Sequence, residues 1–338
     1  MIQLNAQNNM NRYNNGKARS HQKQVSVDRN NQQKNPKMFS STSTMDTGPL
    51  NFHARIADHE GDIMSIVIRD VVTAPPTTTI IDAIKMMNKK GIRHLPITDA
   101  GTNRIEGIVT SFDMVDFLGG GKKNLLVENK FKGNLLSAIN TDVHSIMQHE
   151  IYSLHSDAHI RDAFDLMIDH KIASVPILDH EGHVHAICTE RDFLTFIKGI
   201  VTNRFVGEYM NKKIKAASSD TSIGDAAKIM VEKETKKLPV VKDGILIGIV
   251  TASDIMNFLG SGEAFDKLVT GNIHEAFDEP VSSLIVNDVV WTSSDIDLGE
   301  AADIMIEKGI GSLPVIDDEV FHGVLTEKDI IRAMAERT

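Results

Sequence analysis

The chain has 338 residues, enough for about two domains of ordinary size, with 36 Lys/Arg against 46 Asp/Glu, few aromatics and a single cysteine. Its net charge of −10 is uneven, because residues 1–50 carry seven basic and two acidic side chains, net +5, which leaves −15 on the rest. An acidic body argues against a nucleic-acid surface, which needs a clustered basic face, the lone Cys188 excludes a disulfide framework and a cysteine zinc cluster, and no apolar run reaches the ~18 residues of a membrane span.

The N-terminus lacks the apolar stretch of a secretory signal, so a cytoplasmic protein is expected. Residues 1–61 begin with polar runs such as "NAQNNMNRYNNGK" and "DRNNQQKNPK". Such a segment buries too little apolar surface to offset its ordering entropy and is expected to be a disordered polar tail.

From residue 62 onward the chain repeats itself. Ala83/Met87/Pro96, Ala163/Met167/Pro176, Ala226/Met230/Pro239 and Ala301/Met305/Pro314 recur with identical internal spacing. An N-cap signal precedes each Ala: Thr79, His159, Ser222 or Asp297, followed three positions later by an acid. Ala and Met four apart then share one helix face. The runs "HLPITD", "SVPILD", "KLPVVK" and "SLPVID" predict a strand, a turn follows, and "GIVT" or a relative predicts a second strand. A last amphipathic helix starts at Thr-x-x-Asp: Thr110/Asp113, Thr189/Asp192, Thr251/Asp254 and Thr326/Asp329. The unit is therefore strand–helix–strand–strand–helix. At some 55–60 residues it is too small to be stable alone, so pairing is expected. A longer period lies above this one. "FLGGG" returns as "FLGSG", and Gly133-Asn134 as Gly271-Asn272, so the units form two tandem modules.

This two-part motif in four copies resembles the cystathionine-β-synthase (CBS) domain, whose tandem pairs are called Bateman modules. The resemblance covers about residues 62–338 and implies an α/β (α+β) fold, with repeats at 62–122, 140–200, 201–262 and 278–338 paired into two Bateman modules. It further implies clefts between paired sheets for adenosine-containing ligands, as in four-repeat chains like the gamma subunit of AMP-activated protein kinase. The second repeat departs from the pattern with Ala186 where the others have Gly107, Gly248 and Gly323.

Thr-x-x-Asp reads first as helix capping, with Thr at the N-cap and Asp at the third helical position. The same helix end presents free N–H groups and a positive dipole end, which suit a phosphate. By resemblance, the Asp carboxylates of Asp113, Asp192, Asp254 and Asp329 take ribose hydroxyls, while Thr110, Thr189, Thr251 and Thr326 face phosphate. Basic neighbours complete the candidate nucleotide site. Arg191 and Lys328 directly precede their Asp, and His94 and Lys237 stand two residues before the strand proline. Each could offset phosphate charge.

Other signals carry less. Eight of the 14 His lie between 144 and 185, but scattered over turns, so no metal site is expected. "LGGGKKN" lacks the spacing of a phosphate-binding loop. Cys188 falls inside a predicted strand and reads as a small buried residue. Tyr152 and Trp291 sit on predicted first strands, near where the resemblance would place adenine, and read first as core packing. No stretch remains that could hold a catalytic barrel such as that of inosine monophosphate dehydrogenase. The expectation is a non-catalytic, energy-sensing regulator without a cofactor, binding AMP, ADP, ATP or S-adenosylmethionine and signalling to an unidentified protein partner, with a homodimer open. The alternative is a structural adaptor or oligomerisation platform with empty or vestigial clefts.

Overall fold

The computed structural model describes residues 3–4, 63–119, 121–243, 245–285 and 289–336, so all but Gln3 and Leu4 of the expected polar tail lies outside the described residues. Four repeats are built from the same local chemistry. Their first helices are α1 (Ile80–Lys90), α3 (Ile160–His170), α5 (Ile223–Glu232) and α7 (Leu298–Lys308), and their second helices are α2 (Ser111–Leu118), α4 (Glu190–Leu194), α6 (Ala252–Gly260) and α8 (Glu327–Ala335). The expected caps start the first helices. Thr79 accepts from the Asp82 N–H and Ser222 from the Asp225 N–H, while the His159 N–H donates to the Asp162 carboxylate at 2.9 Å. Gly91 and Gly309 stop α1 and α7 at φ 63° and 66°, the left-handed conformation that favours glycine. The Ala and Met of every repeat are buried. Each such Met contributes about 1.5–3 kcal/mol relative to leaving it exposed.

The central hairpins are β1 (His94–Thr98) with β2 (Ile105–Thr110), β4 (Ser174–Leu178) with β5 (Val184–Thr189), β7 (Lys237–Lys242) with β8 (Ile245–Thr251), and β9 (Ser312–Asp317) with β10 (Val320–Thr326). A short parallel partner precedes the first helix: β3 (Leu154–His155) and β6 (Ala217–Ser218), with single bridges Ala74↔Ile97 and Thr292↔Val315 in the other repeats. The repeated proline sits opposite Ile108, Ile187, Ile249 and Val324. In the first repeat the Ile108 backbone bonds instead to Gln148, so the missing proline N–H breaks no ladder bond to β2. Gln3–Leu4 lies between β8 and β10 and joins the sheets of the third and fourth repeats in the order β9-β10-(3–4)-β8-β7-β6.

Siblings within a module exchange their lead-in segments. Ile68 of the first repeat pairs with Ile187 of the second, Gln148 of the second with Ile108 of the first, and Asn211 of the third with Val324 of the fourth. This contact explains the glycine before the second strand. A Cβ on Gly107 would stand 2.7 Å from the Met147 sulfur, one on Gly248 2.3 Å from Ile285, and one on Gly323 2.5 Å from the Asn211 carbonyl. The second repeat accommodates Ala186, fully buried, at the same place.

The two modules join through helices. One apolar core is shared by the first and third repeats and another by the second and fourth. α1 packs on α6, α2 on α5, and α4 on α8. The longer sequence period marks this junction. Leu135 N–H donates to Gly271 O and Ile273 N–H to Gly133 O, both at 2.9 Å, so the two Gly-Asn copies bond to each other reciprocally. Gly119 and Gly260, the glycines of the two "FLG" copies, do the same for packing. A Cβ on Gly119 would fall 2.2 Å from the Ala227 Cβ, and one on Gly260 2.3 Å from the Asn88 amide.

Candidate functional site

Each Thr-x-x-Asp forms a cap where its second strand runs into its second helix. The Asp Oδ2 accepts from the Thr hydroxyl at 2.7, 2.9, 2.7 and 2.6 Å and from the Thr backbone N–H at 2.7, 2.6, 2.7 and 2.9 Å, in the first to fourth repeats. The caps are alike; the second carboxylate oxygens are not. Asp113 Oδ1 accepts from Lys123 Nζ and from Gln148 Nε2 at 3.0 Å, and the residue is 4% exposed. Oδ1 of Asp192, Asp254 and Asp329 has no hydrogen-bond partner among the described residues. Burial pushes the carboxyls of these three above the ordinary carboxylate range, the capping bonds from Thr opposing it.

The basic candidates converge from different repeats. Arg191 Nε bonds Glu327 Oε1 at 2.8 Å, and Arg93 Nη2 bonds Glu327 Oε2 at 3.0 Å. Lys237 Nζ donates to the Gly311 carbonyl, and burial holds its ammonium down to about 8, against attraction from Glu327. His94 lies close to Lys236 and Arg93; burial first, then their charges, hold its imidazole well below the usual range, so it is neutral at pH 7. Its Nε2 is buried without a hydrogen-bond partner among the described residues. Lys328 is exposed. Thus Arg191 and Lys237 meet beside Glu327, His94 joins them as a neutral group, and Lys328 is exposed at the edge, where its charge still acts on Lys236.

Two further pairs belong to this centre, and both escape motif reading. Glu327 is 2% exposed and carries the Arg93–Glu327–Arg191 bridge. Glu190 lies near Lys236; burial raises the acid and lowers the base, while each favours the other's charge. The aligned positions hold the signal. The residue after the motif Thr is Ser111, Glu190, Ala252 and Glu327, and its N–H donates to Arg93, Ala173, Lys236 and Gly311 respectively. Repeats one and three offer a base there with a small partner, and repeats two and four an acid with a small partner. The acids thus meet the bases across the module junction, which a scan one repeat at a time does not reveal.

The discounted signals fall elsewhere. Cys188 is fully buried on β5, and burial pushes its thiol well up. Tyr152 stacks on His170 at 3.9 Å and His155 on His180 at 5.4 Å. Among the described residues no three His, Cys, Asp or Glu are placed to hold a metal ion, and no helix is long and apolar enough to cross a membrane.

CBS domain profiles match residues 61–120, 143–199, 206–261 and 281–336. Uncharacterized protein MJ1225 of Methanocaldococcus jannaschii is 35% identical over 269 residues, 79% of this chain and 96% of that protein. Its crystal structure, described as that of a candidate archaeal homolog of g-AMPK, matches at TM-score 0.76 and 34% identity, covering 80% of this chain and 99% of that one. A 33.4 kDa protein encoded in a ribosomal RNA operon of Thermofilum pendens is 26% identical over 77% of this chain and 87% of its own length. An uncharacterized conserved protein from Pyrococcus horikoshii shares the fold, with TM-score 0.51 at 18% identity over 81% of this chain and 99% of that one.

Proposed function

Because the chain belongs to the CBS domain family, as four repeats in two Bateman modules, we propose that it is a non-catalytic regulator that binds adenosine-containing ligands in clefts beside Asp192, Asp254 and Asp329. One observation carries this reading: three half-buried carboxylates hold one oxygen on their own cap and leave the other without a partner among the described residues. Keeping such a group charged costs stability at neutral pH, which is how a site differs from a cap. A ribose offers two hydroxyls to that oxygen pair. Thr189, Thr251 and Thr326 sit beside a phosphate, and Lys237 and Arg191 supply charge from the centre. The description of its M. jannaschii relative as a candidate g-AMPK homolog accords with an adenine-nucleotide sensor.

The first cleft reads differently. Lys123 and Gln148 already occupy Asp113, so the adaptor alternative, with vestigial clefts, draws support from this repeat alone. Ligand binding reaches a protein partner, a second copy of the chain included, by shifting the population between two arrangements of the repeats, which requires different affinity for each. Calorimetric titration of adenosine, AMP, ATP and S-adenosylmethionine tests the reading. Saturable heat with at least one of them supports it, and no heat with any leaves only the adaptor.

A further inference from the structure

Glu327, at the junction of the modules, is 2% exposed and has two guanidinium partners, both on the opposite module. Arg93 and Arg191 spread their donors over its two oxygens as they would over two oxygens of a phosphate, the anion geometry that arginine matches best. Their own side chains are 33% and 35% exposed, so a second anion can approach them from solvent. The pair adjoins the candidate clefts: Arg191 precedes Asp192, and Glu327 follows Thr326. Lys237 stands alongside. Nothing in the helix start requires an acid here, because the first and third repeats place Ser111 and Ala252 at the same position.

We propose that Arg93 and Arg191 form a phosphate-class anion site that the chain fills with its own carboxylate, Glu327. An entering phosphate must displace Glu327 to gain both guanidinium groups. The carboxylate therefore sets how strongly phosphorylated ligands are preferred over unphosphorylated ones. That consequence rests on the adenosine-binding reading above; the existence of the anion site does not. Displacement also releases the bridge between the modules, so the same event that admits phosphate loosens their junction. Ribose binding by the Thr-x-x-Asp caps involves none of these three residues.

The test uses the full chain and Glu327→Gln, which keeps the shape and one acceptor oxygen but removes the competing charge. Inorganic phosphate and pyrophosphate are titrated first, by calorimetry and thermal shift. The variant is expected to bind one or both about tenfold more tightly than the wild type, and Arg191→Gln added to it is expected to abolish the gain. Adenosine and AMP are titrated second, and the AMP-to-adenosine affinity ratio is expected to rise by about the same factor, with adenosine itself unchanged. No gain for phosphate or pyrophosphate, or a gain that survives loss of Arg191, overturns the proposal. A wild type that binds no adenosine ligand sinks the functional reading instead, while the phosphate arm still decides the anion site. If Glu327→Gln does not fold, Glu327→Ser, carrying the first repeat's residue, is measured the same way. Failure of both to fold assigns Glu327 to the module junction alone and overturns the proposal.

Discussion

Asp113 and Asp254 occupy the same place in two repeats, carry the same cap and begin helices of similar length, yet one is closed and the other open. Asp113 Oδ1 is taken by Lys123 Nζ and Gln148 Nε2. Among the described residues the Asp254 carboxylate bonds only to Thr251. Lys123 comes from the connector after α2, and Gln148 from the sibling lead-in that pairs with Ile108. The motif is thus sufficient for a cap and insufficient for a site. What surrounds the free oxygen decides between them, and that is set by segments outside the motif.

The comparison breaks most visibly at the carboxylates. Asp254→Ala is expected to weaken every adenosine ligand at its cleft by about a hundredfold or more, because two charge-assisted bonds of about 1.5–3 kcal/mol each are lost. Asp113→Ala is expected to leave ligand affinity unchanged and to lower the melting temperature, since a half-buried ammonium loses its partner. Calorimetry and a thermal melt on both variants read this out, and equal loss of affinity would erase the distinction. Lys123→Met sharpens the same contrast. Removing the plug frees Asp113, and calorimetric stoichiometry with adenosine is expected to rise by one site; unchanged stoichiometry would mean that Gln148 or the cleft walls close it instead.

Intermediate effects come from charge. Lys237 is held at about 8 by burial, against an ordinary 10.5, so it loses its proton in the folded state first. Stability on its account rises with pH between those two values, because the unfolded chain binds more protons there. Affinity for AMP should in turn fall by about fivefold between pH 7 and 9, with adenosine flat, and Lys237→Met should remove that slope. The carboxyls of Asp192, Asp254 and Asp329 work in the other direction. The fold holds their protons to a higher pH than the unfolded chain does, so stability is lost as pH rises from 3.8 through the raised values. Asp254→Asn, which keeps an acceptor for the Thr251 N–H, is expected to melt at or above the wild-type temperature at pH 7 while losing ligand. A lower melting temperature would make capping the main role of that charge. Smallest of all is Lys328→Ala. The side chain is exposed, so its effect on ATP affinity is expected to stay within about twofold and to vanish in salt; a tenfold loss would return Lys328 to the phosphate.

The repeat unit was legible because each of its parts is local. Capping acids, the Ala–Met face and the strand proline all fall within one helical turn or one hairpin, where spacing translates directly into geometry. The glycines of "FLG" and of Gly133-Asn134 were legible as repeats but not as structure. Gly119 and Gly260 permit close approach of α2 to α5 and of α6 to α1, and the two Gly-Asn copies bond to each other, neither of which a repeat alone reveals. Arg93 and Glu327 are 234 residues apart, and Arg191 and Glu327 136 apart. Nothing in a period of some 60 residues predicts which repeat faces which. Aligning the four copies does expose the alternation of Arg93 and Lys236 with Glu190 and Glu327, since charge at a quasi-equivalent position is the trace that docking leaves in sequence. Asp113 shows the converse limit: its plug lies on a connector where the copies do not align.

The most direct test of the open-and-closed distinction is a crystal structure of the full chain grown with AMP. The account predicts nucleotide with its ribose on one or more of Asp192, Asp254 and Asp329, and Lys123 still bonded to Asp113. A nucleotide seated on Asp113 with Lys123 displaced, and none at the other three, would contradict it.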